Sequence, residues 1–273
     1  MPHNKNHGIF YCFLPIIYFY AINFLVATIF SFFIALTPDK ALSAEKIIQK
    51  YAFIIQITTY AVMLTCFSIL FFFRERKRYD AVMRTSFNIK DFICITLLGV
   101  GLFLLTNVVL TIFSGFNFAK DAIQVHDALM NTQSSGNTYL TIFFTAVLAP
   151  ITEELLFRGL IFNRFRDIST EKHAMLSCAL LFGCMHMASV IQAIYACIIG
   201  YILAYVYTKY GKILVPIFLH SVFNLTNFLF IGEKSQTFFS TTFGLCIFYL
   251  SAVLFTVIGI KHIKGKTHSY EKY

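Results

Sequence analysis

Residues 139–165 read YLTIFFTAVLAPITEELLFRGLIFNRF. As a helix this run can cross the roughly 30 Å hydrocarbon core of a bilayer. Before its polar end at Asn163-Arg164, charge within it is confined to Ala149-Pro150-Ile151-Thr152-Glu153-Glu154-Leu155-Leu156-Phe157-Arg158-Gly159. Each ionised group near the centre of a spanning helix costs about 2.5–3.5 kcal/mol on insertion scales, so Glu153, Glu154 and Arg158 need partners. Glu154 and Arg158 are four positions apart on one helix face and can pair. Glu153 points about 100° away and must find its partner on another element.

The remainder of the chain has the same character. Of 273 residues, 58% are hydrophobic and 13% are charged, with a mean hydropathy of +0.72. A soluble domain carries about 25% charged residues, so the chain requires an apolar environment beyond its own core. Apolar runs of spanning length occur at 9–36, 51–73, 91–114, 139–165, 174–190, 191–207, 213–231 and 238–260. The fifth and sixth are short and nearly continuous, consistent with a bent pair or a segment that does not fully cross. The first run is longer than a signal-peptide core and no small-residue cleavage site follows it, so it is expected to be a span. The predicted fold is all-α: a polytopic membrane helical bundle of about eight transmembrane helices, one membrane domain over residues 1–273. In the polar connector 115–137, Phe118, Ala122, Val125 and Leu129 recur at helical spacing and predict a short interfacial helix.

The formal charge of +9 does not indicate nucleic acid, because the basic residues lie in short connectors between apolar runs. With both termini cytoplasmic, 16 Lys and Arg fall in inner segments and five (Lys40, Lys46, Lys50, Lys120 and Lys234) in outer ones. That bias is the one that orients membrane proteins. Trp is absent, which leaves Tyr to form any interfacial belt. The seven cysteines lie in apolar segments without CxxC spacing, so they read as small buried hydrophobes.

Two further apolar runs carry polar groups. The fifth contains Phe182-Gly183-Cys184-Met185-His186, and the seventh His220-Ser221-Val222-Phe223-Asn224, where His220 and Asn224 project toward one neighbour. Taken singly, each is explained by packing or by interhelical hydrogen bonding. Depth ties them together. Counted from Arg166, His173 and Lys212, Glu153 and His186 lie 13 residues in, and His220 and Asn224 lie 8 and 12 in. These are depths of roughly 12–20 Å at 1.5 Å per residue. A carboxylate beside an imidazole can take a proton from water as it attacks a carbonyl, and a second His and an Asn can stabilise the resulting oxyanion. Ser221 beside His220 is a more distant nucleophile. Glu153, His186 and His220 also form a recognised catalytic zinc set, so water activation with or without a metal is open at this point.

Glu153-Glu154-x-x-x-Arg158, Phe182-x-x-x-His186 and His220-x-x-x-Asn224, in that order, resemble the signature of the CAAX-protease and bacteriocin-processing family. Phe157-Arg158-Gly159, Gly200 and Tyr207-Thr208 agree with it, and the likeness covers about 147–225 within a core of 139–231. The resemblance implies an eight-helix intramembrane endopeptidase acting on a membrane-associated, prenylated or leader peptide. Glu153 and His186 would then activate water, His220 and Asn224 stabilise the oxyanion, and Glu154 and Arg158 orient the site. The family has been described both as metalloprotease and as glutamate protease. It also includes bacteriocin-immunity and sensor-regulating members, which makes a non-catalytic membrane partner the alternative. An ion path is a third reading of intramembrane carboxylates and His. The expected partners are lipid and a peptide substrate.

Overall fold

A computed structural model of the protein describes residues 8–36, 44–82, 87–134, 138–229 and 241–266, which are helical with no strand among them. Helices α1 (Phe10–Leu36), α2 (Ala44–Val82) and α3 (Ile89–Ser114) are followed by a 3-10 turn, Asn117–Ala119, and α4 (Lys120–Ser134). Then come α5 (Thr138–Ile168), α6 (Glu171–Cys184), α7 (Val190–Tyr210), α8 (Leu214–Leu229) and α9 (Thr242–Lys264). Each of the eight predicted runs coincides with a helix over most of its described residues, and α4 occupies the connector expected to hold an interfacial helix. Helices α1, α3, α5, α7, α9 and the Tyr51–Phe73 part of α2 are long and apolar enough to cross a membrane. The predicted ends at 231 and 238, and Lys5, Lys40, Arg84, Lys234 and Lys272 of the charge split, lie outside the described residues.

Helices α6 and α8 are shorter. The fifth run was expected to stay helical to 190, but α6 ends at Cys184. The chain then turns, with the His186 N–H bonding back to the Gly183 carbonyl at 2.9 Å. Ser189 starts the next helix by accepting the Gln192 N–H at 3.3 Å. A serine in extended backbone ahead of an apolar run is a strong helix start, and it divides what hydropathy alone leaves almost continuous. His186 therefore projects from a turn between two helices.

The exterior is apolar. Phe10 is 84% and Phe73 80% exposed, and Phe24, Phe243 and Leu250 also face outward. A soluble monomer rarely exposes contiguous apolar surface on this scale; a lipid-embedded one must. The chain is an integral membrane protein.

Without a hydrophobic driving force between helices in lipid, close backbone approach holds them together. Helix α9 lies along α3 in this way. A Cβ on Gly259 would stand 2.5 Å from the Leu98 Cβ, and one on Gly101 would stand 2.6 Å from the Thr256 backbone nitrogen. At the end of the bundle where α3 begins and α7 and α9 finish, the buried Asp91 carboxylate adds a polar clasp. Its Oδ2 accepts the Asn88 N–H at 2.9 Å. Its Oδ1 accepts the Tyr210 hydroxyl at 2.9 Å and meets His262 Nε2 at 2.7 Å and Lys266 Nζ at 2.5 Å. Arg164, Arg166, Lys172 and Lys212 sit at helix ends on this same side, here called the basic end. Gly259→Leu is expected to separate α9 from α3 and to cost about 1–3 kcal/mol, as overpacking does. Thermal unfolding in detergent, read against a Leu substitution on the lipid face at Val253, checks this.

Candidate active site

Helix α5 is not a uniform α-helix. Two wide π turns, Phe144–Leu148 and Leu155–Phe162, bracket the regular segment Ala149–Glu154. Such turns are rare and are frequent at functional sites, because they change the direction in which successive side chains point. Pro150 contributes directly. In the first π turn the Ala149 N–H reaches the Phe144 carbonyl, so the next donor in that register, for Thr145, would be the N–H that proline lacks. Asn224 fills the vacancy from α8, its Nδ2 donating to the Thr145 carbonyl at 2.9 Å. One of its two amide hydrogens is thus committed to holding α5 against α8.

The expected Glu154–Arg158 pair is present, with Arg158 Nη1 donating to Glu154 Oε1 at 2.8 Å and both side chains fully buried. Arg158 reaches further than its own helix: Nη2 donates to the Gly200 carbonyl of α7 at 2.6 Å, and the guanidinium lies 5.0 Å from the Phe182 ring centroid on α6. One cation therefore fastens three helices. Glu154 does the same for α8, since Oε1 also meets His220 Nδ1 at 3.0 Å. A carboxylate can only accept, so Nδ1 carries the hydrogen and the other ring nitrogen turns outward. His220 Nε2 stands 4.0 Å from Glu153 Oε2, which places the imidazole between the two glutamates.

Glu153 is the more accessible carboxylate, its side chain 16% exposed. The partner that helix geometry required of another element is Tyr60 on α2, whose hydroxyl donates to Glu153 Oε1 at 3.3 Å while its ring packs edge-on to Phe144 at 4.9 Å. Sequence reasoning missed this residue. It treated tyrosines as interfacial, although Tyr60 lies nine residues inside its apolar run, and that depth was the available signal. His186 enters from the turn after α6. Its Nδ1 meets the Phe182 carbonyl at 2.7 Å, so Nδ1 again carries a hydrogen, the tautomer that puts the lone pair of an uncharged imidazole at Nε2. Gly183 makes room for this turn: a Cβ there would lie 2.7 Å from the Ala193 carbonyl oxygen of α7.

Glu153, His186, His220, Asn224 and Tyr60 all line one cavity of about 380 Å³. Glu154 and Arg158 lie behind it, out of contact with its space. The six residues singled out in the sequence are thus brought to one place, four on the cavity wall and two as its buried support. The zinc set does not assemble in the same way. Glu153, His186 and His220 share the wall, but no three His, Cys, Asp or Glu side chains among the described residues come together as metal ligands. His220 meets Glu154 through Nδ1 alone, and its Nε2 stays on the cavity side.

Comparison with known proteins bears on the same stretch. Residues 135–226 match the family model described as Rce1-like, type II CAAX prenyl endopeptidase. This stretch is therefore similar to the CAAX-protease and bacteriocin-processing family. The family stretch runs from the start of α5 into α8 and so contains all six motif residues, while Tyr60 lies outside it. A Bacillus subtilis (strain 168) protein named "Putative membrane peptidase YdiL" is 31% identical over 85 residues, 31% of this chain and 34% of that protein. The matching region is therefore about a third of the curated relative's length. No solved structure matches the chain significantly.

Removing one partner of a buried ion pair strands the other, at a cost of about 3–5 kcal/mol. Arg158→Met is expected to destabilise the protein by that order. Adding Glu154→Gln to Arg158→Met should restore a large part of the loss, which denaturant unfolding in detergent would record.

Proposed function

We propose that the protein is an intramembrane endopeptidase that hydrolyses a peptide bond of a membrane-associated substrate. The observation that carries this reading is the convergence of Glu153, His186, His220 and Asn224 on one cavity, backed by the buried Glu154–Arg158 pair.

Water in the cavity between Glu153 and the His186 Nε2 lone pair gives a proton to Glu153 as its oxygen attacks the scissile carbonyl. Tyr60 holds Glu153 Oε1, which leaves Oε2, on the His220 side, as the proton acceptor. The carbonyl becomes a tetrahedral oxyanion. His220 faces it with Nε2, supported in its protonated form by Glu154 behind Nδ1, and Asn224 offers the amide hydrogen not used on Thr145. Collapse breaks the C–N bond, and the proton held on Glu153 passes to the leaving amine. The products are a carboxylic acid and an amine, with one water consumed. All steps use groups of this chain, and none requires a metal. The likeness to a Bacillus subtilis protein and the 16-to-five charge split support a bacterial cell membrane with both termini cytoplasmic.

Glu153→Gln keeps the shape of the side chain and removes the base. It is expected to lower cleavage of a membrane-anchored reporter peptide by about 10²–10⁴-fold while leaving the unfolding midpoint unchanged; undiminished cleavage would refute the assignment. Tyr60→Phe should reduce kcat more mildly, by roughly tenfold, with KM little altered, because it loosens the base without touching substrate.

A further inference from the structure

Away from the cavity, the outer face of α9 combines two properties on one line. Phe243, Ile247, Leu250, Leu254 and Val257 are all exposed. They recur at alternating intervals of four and three, so they form a single stripe along the helix. The same intervals lead on to Lys261 and Lys264 at the basic end, and both are exposed. From Leu250 to Lys261 is 11 residues, roughly 16 Å of helix. One leaflet's share of the hydrocarbon core is about 15 Å. Leu250, Leu254 and Val257 therefore lie at the depth of the acyl chains of that leaflet, and the two lysines reach the level of its phosphates.

The cations beside this stripe are already committed within the protein. Lys266 is paired with Asp91 and lies 5.5 Å from the Tyr210 ring centroid. Lys209 Nζ donates to the Lys266 carbonyl at 3.4 Å and lies 5.6 Å from the Tyr205 ring centroid. Segments 87–92, 205–214 and 255–266 form this corner, where six lysines face a single acidic residue, Asp91. Asp91 is engaged by Tyr210, His262 and Lys266. Lys261 and Lys264 have no ion-pair partner among the described residues. Membrane topology asks for basic charge at one end of a bundle, but not for its alignment with an exposed apolar stripe. A second copy of the chain fits the stripe poorly. Two copies inserted in the same orientation would set these lysines against each other, and the stripe lacks the small residues that let spanning helices approach. A phospholipid carrying net negative charge matches both parts of it, the chains through dispersion and the headgroup through charge.

We infer that α9 carries a binding site for an anionic phospholipid, with the headgroup phosphate held by Lys261 and Lys264 and an acyl chain lying along Leu250, Leu254 and Val257. The site stands on the outer surface of the α3–α9 pair and does not depend on the protease reading.

The absence of tryptophan from the chain makes a site-specific test simple. Leu254→Trp places one indole on the stripe, and Phe24→Trp places one on the exposed face of α1 as a reference. Each full-length variant is reconstituted in phosphatidylcholine vesicles containing a small fraction of phosphatidylglycerol or phosphatidylcholine brominated on its acyl chains, which quenches tryptophan on contact. At Leu254→Trp the brominated phosphatidylglycerol is expected to quench with about fivefold higher apparent affinity, the order of one lysine–headgroup contact. Phe24→Trp should show no such preference. Adding Lys261→Gln and Lys264→Gln to Leu254→Trp is expected to abolish the preference while leaving the unfolding midpoint in neutral detergent unchanged. Equal quenching by the two lipids at Leu254→Trp, or a preference that survives the double glutamine change, overturns the inference. Replacing chloride by inorganic phosphate at equal ionic strength should leave the preference intact; its loss would assign the lysines to free phosphate and overturn the lipid site. An indole at Leu254→Trp shielded from both lipids, together with a two-subunit mass in detergent, would assign the stripe to a second copy and overturn it as well.

Discussion

A guanidinium buried in the middle of a membrane protein governs much of this architecture. Arg158 cannot shed its charge in a protein, so every surrounding element must answer it. Glu154 answers from the same helix at 2.8 Å and the Gly200 carbonyl from α7 at 2.6 Å, while Phe182 of α6 lies beneath the cation. Glu154 then extends the network to His220 on α8. The contacts are short because the low dielectric that makes these charges expensive also strengthens each bond that satisfies them. A network of this kind specifies position more than it adds stability. Here it fixes α6, α7 and α8 around the one turn of α5 that bears both glutamates.

The local irregularities of α5 serve the same end. A regular helix would direct Glu153 and Glu154 to separate neighbours at a constant interval. The π turns on either side, with Pro150 between them, instead leave a carbonyl for Asn224 to bind and space for His220 to stand between the two carboxylates. The two glutamates thereby take different roles. Glu154 is enclosed and bound to two cationic or polar partners, whereas Glu153 keeps one oxygen on Tyr60 and the other toward the cavity.

Far from this centre, the α3–α9 pair is held mainly by close backbone approach. Gly101 and Gly259 bring the two backbones into contact, and Asp91 closes the same pair at the basic end with Tyr210, His262 and Lys266. The result is a closely packed wall on the side of the cavity that carries Asn107. The cavity is therefore bounded by one wall set by backbone packing and another set by buried charge.

Hydropathy, charge bias and spacing determine a large part of this protein. Run length alone identifies the eight helical segments, because a bilayer demands a fixed length of apolar helix. The i,i+4 spacing identifies the Glu154–Arg158 pair, because that interaction is local. The order of Glu153, His186, His220 and Asn224 points to one family for the stretch 135–226. The tertiary structure decided what depends on contacts between distant segments. It ended α6 at Cys184 and put His186 in a turn, a choice made by the Ser189 cap and by the approach of α7 to Gly183. It brought in Tyr60 from a helix without any recognised motif, 93 positions away from Glu153. It also assigned His220 Nδ1 to Glu154, although the sequence leaves two adjacent carboxylates equally eligible. Period and hydropathy are properties of one segment and can be read along the chain; which side chains share a hydrogen bond depends on how helices rotate against one another, and that is fixed only when they pack.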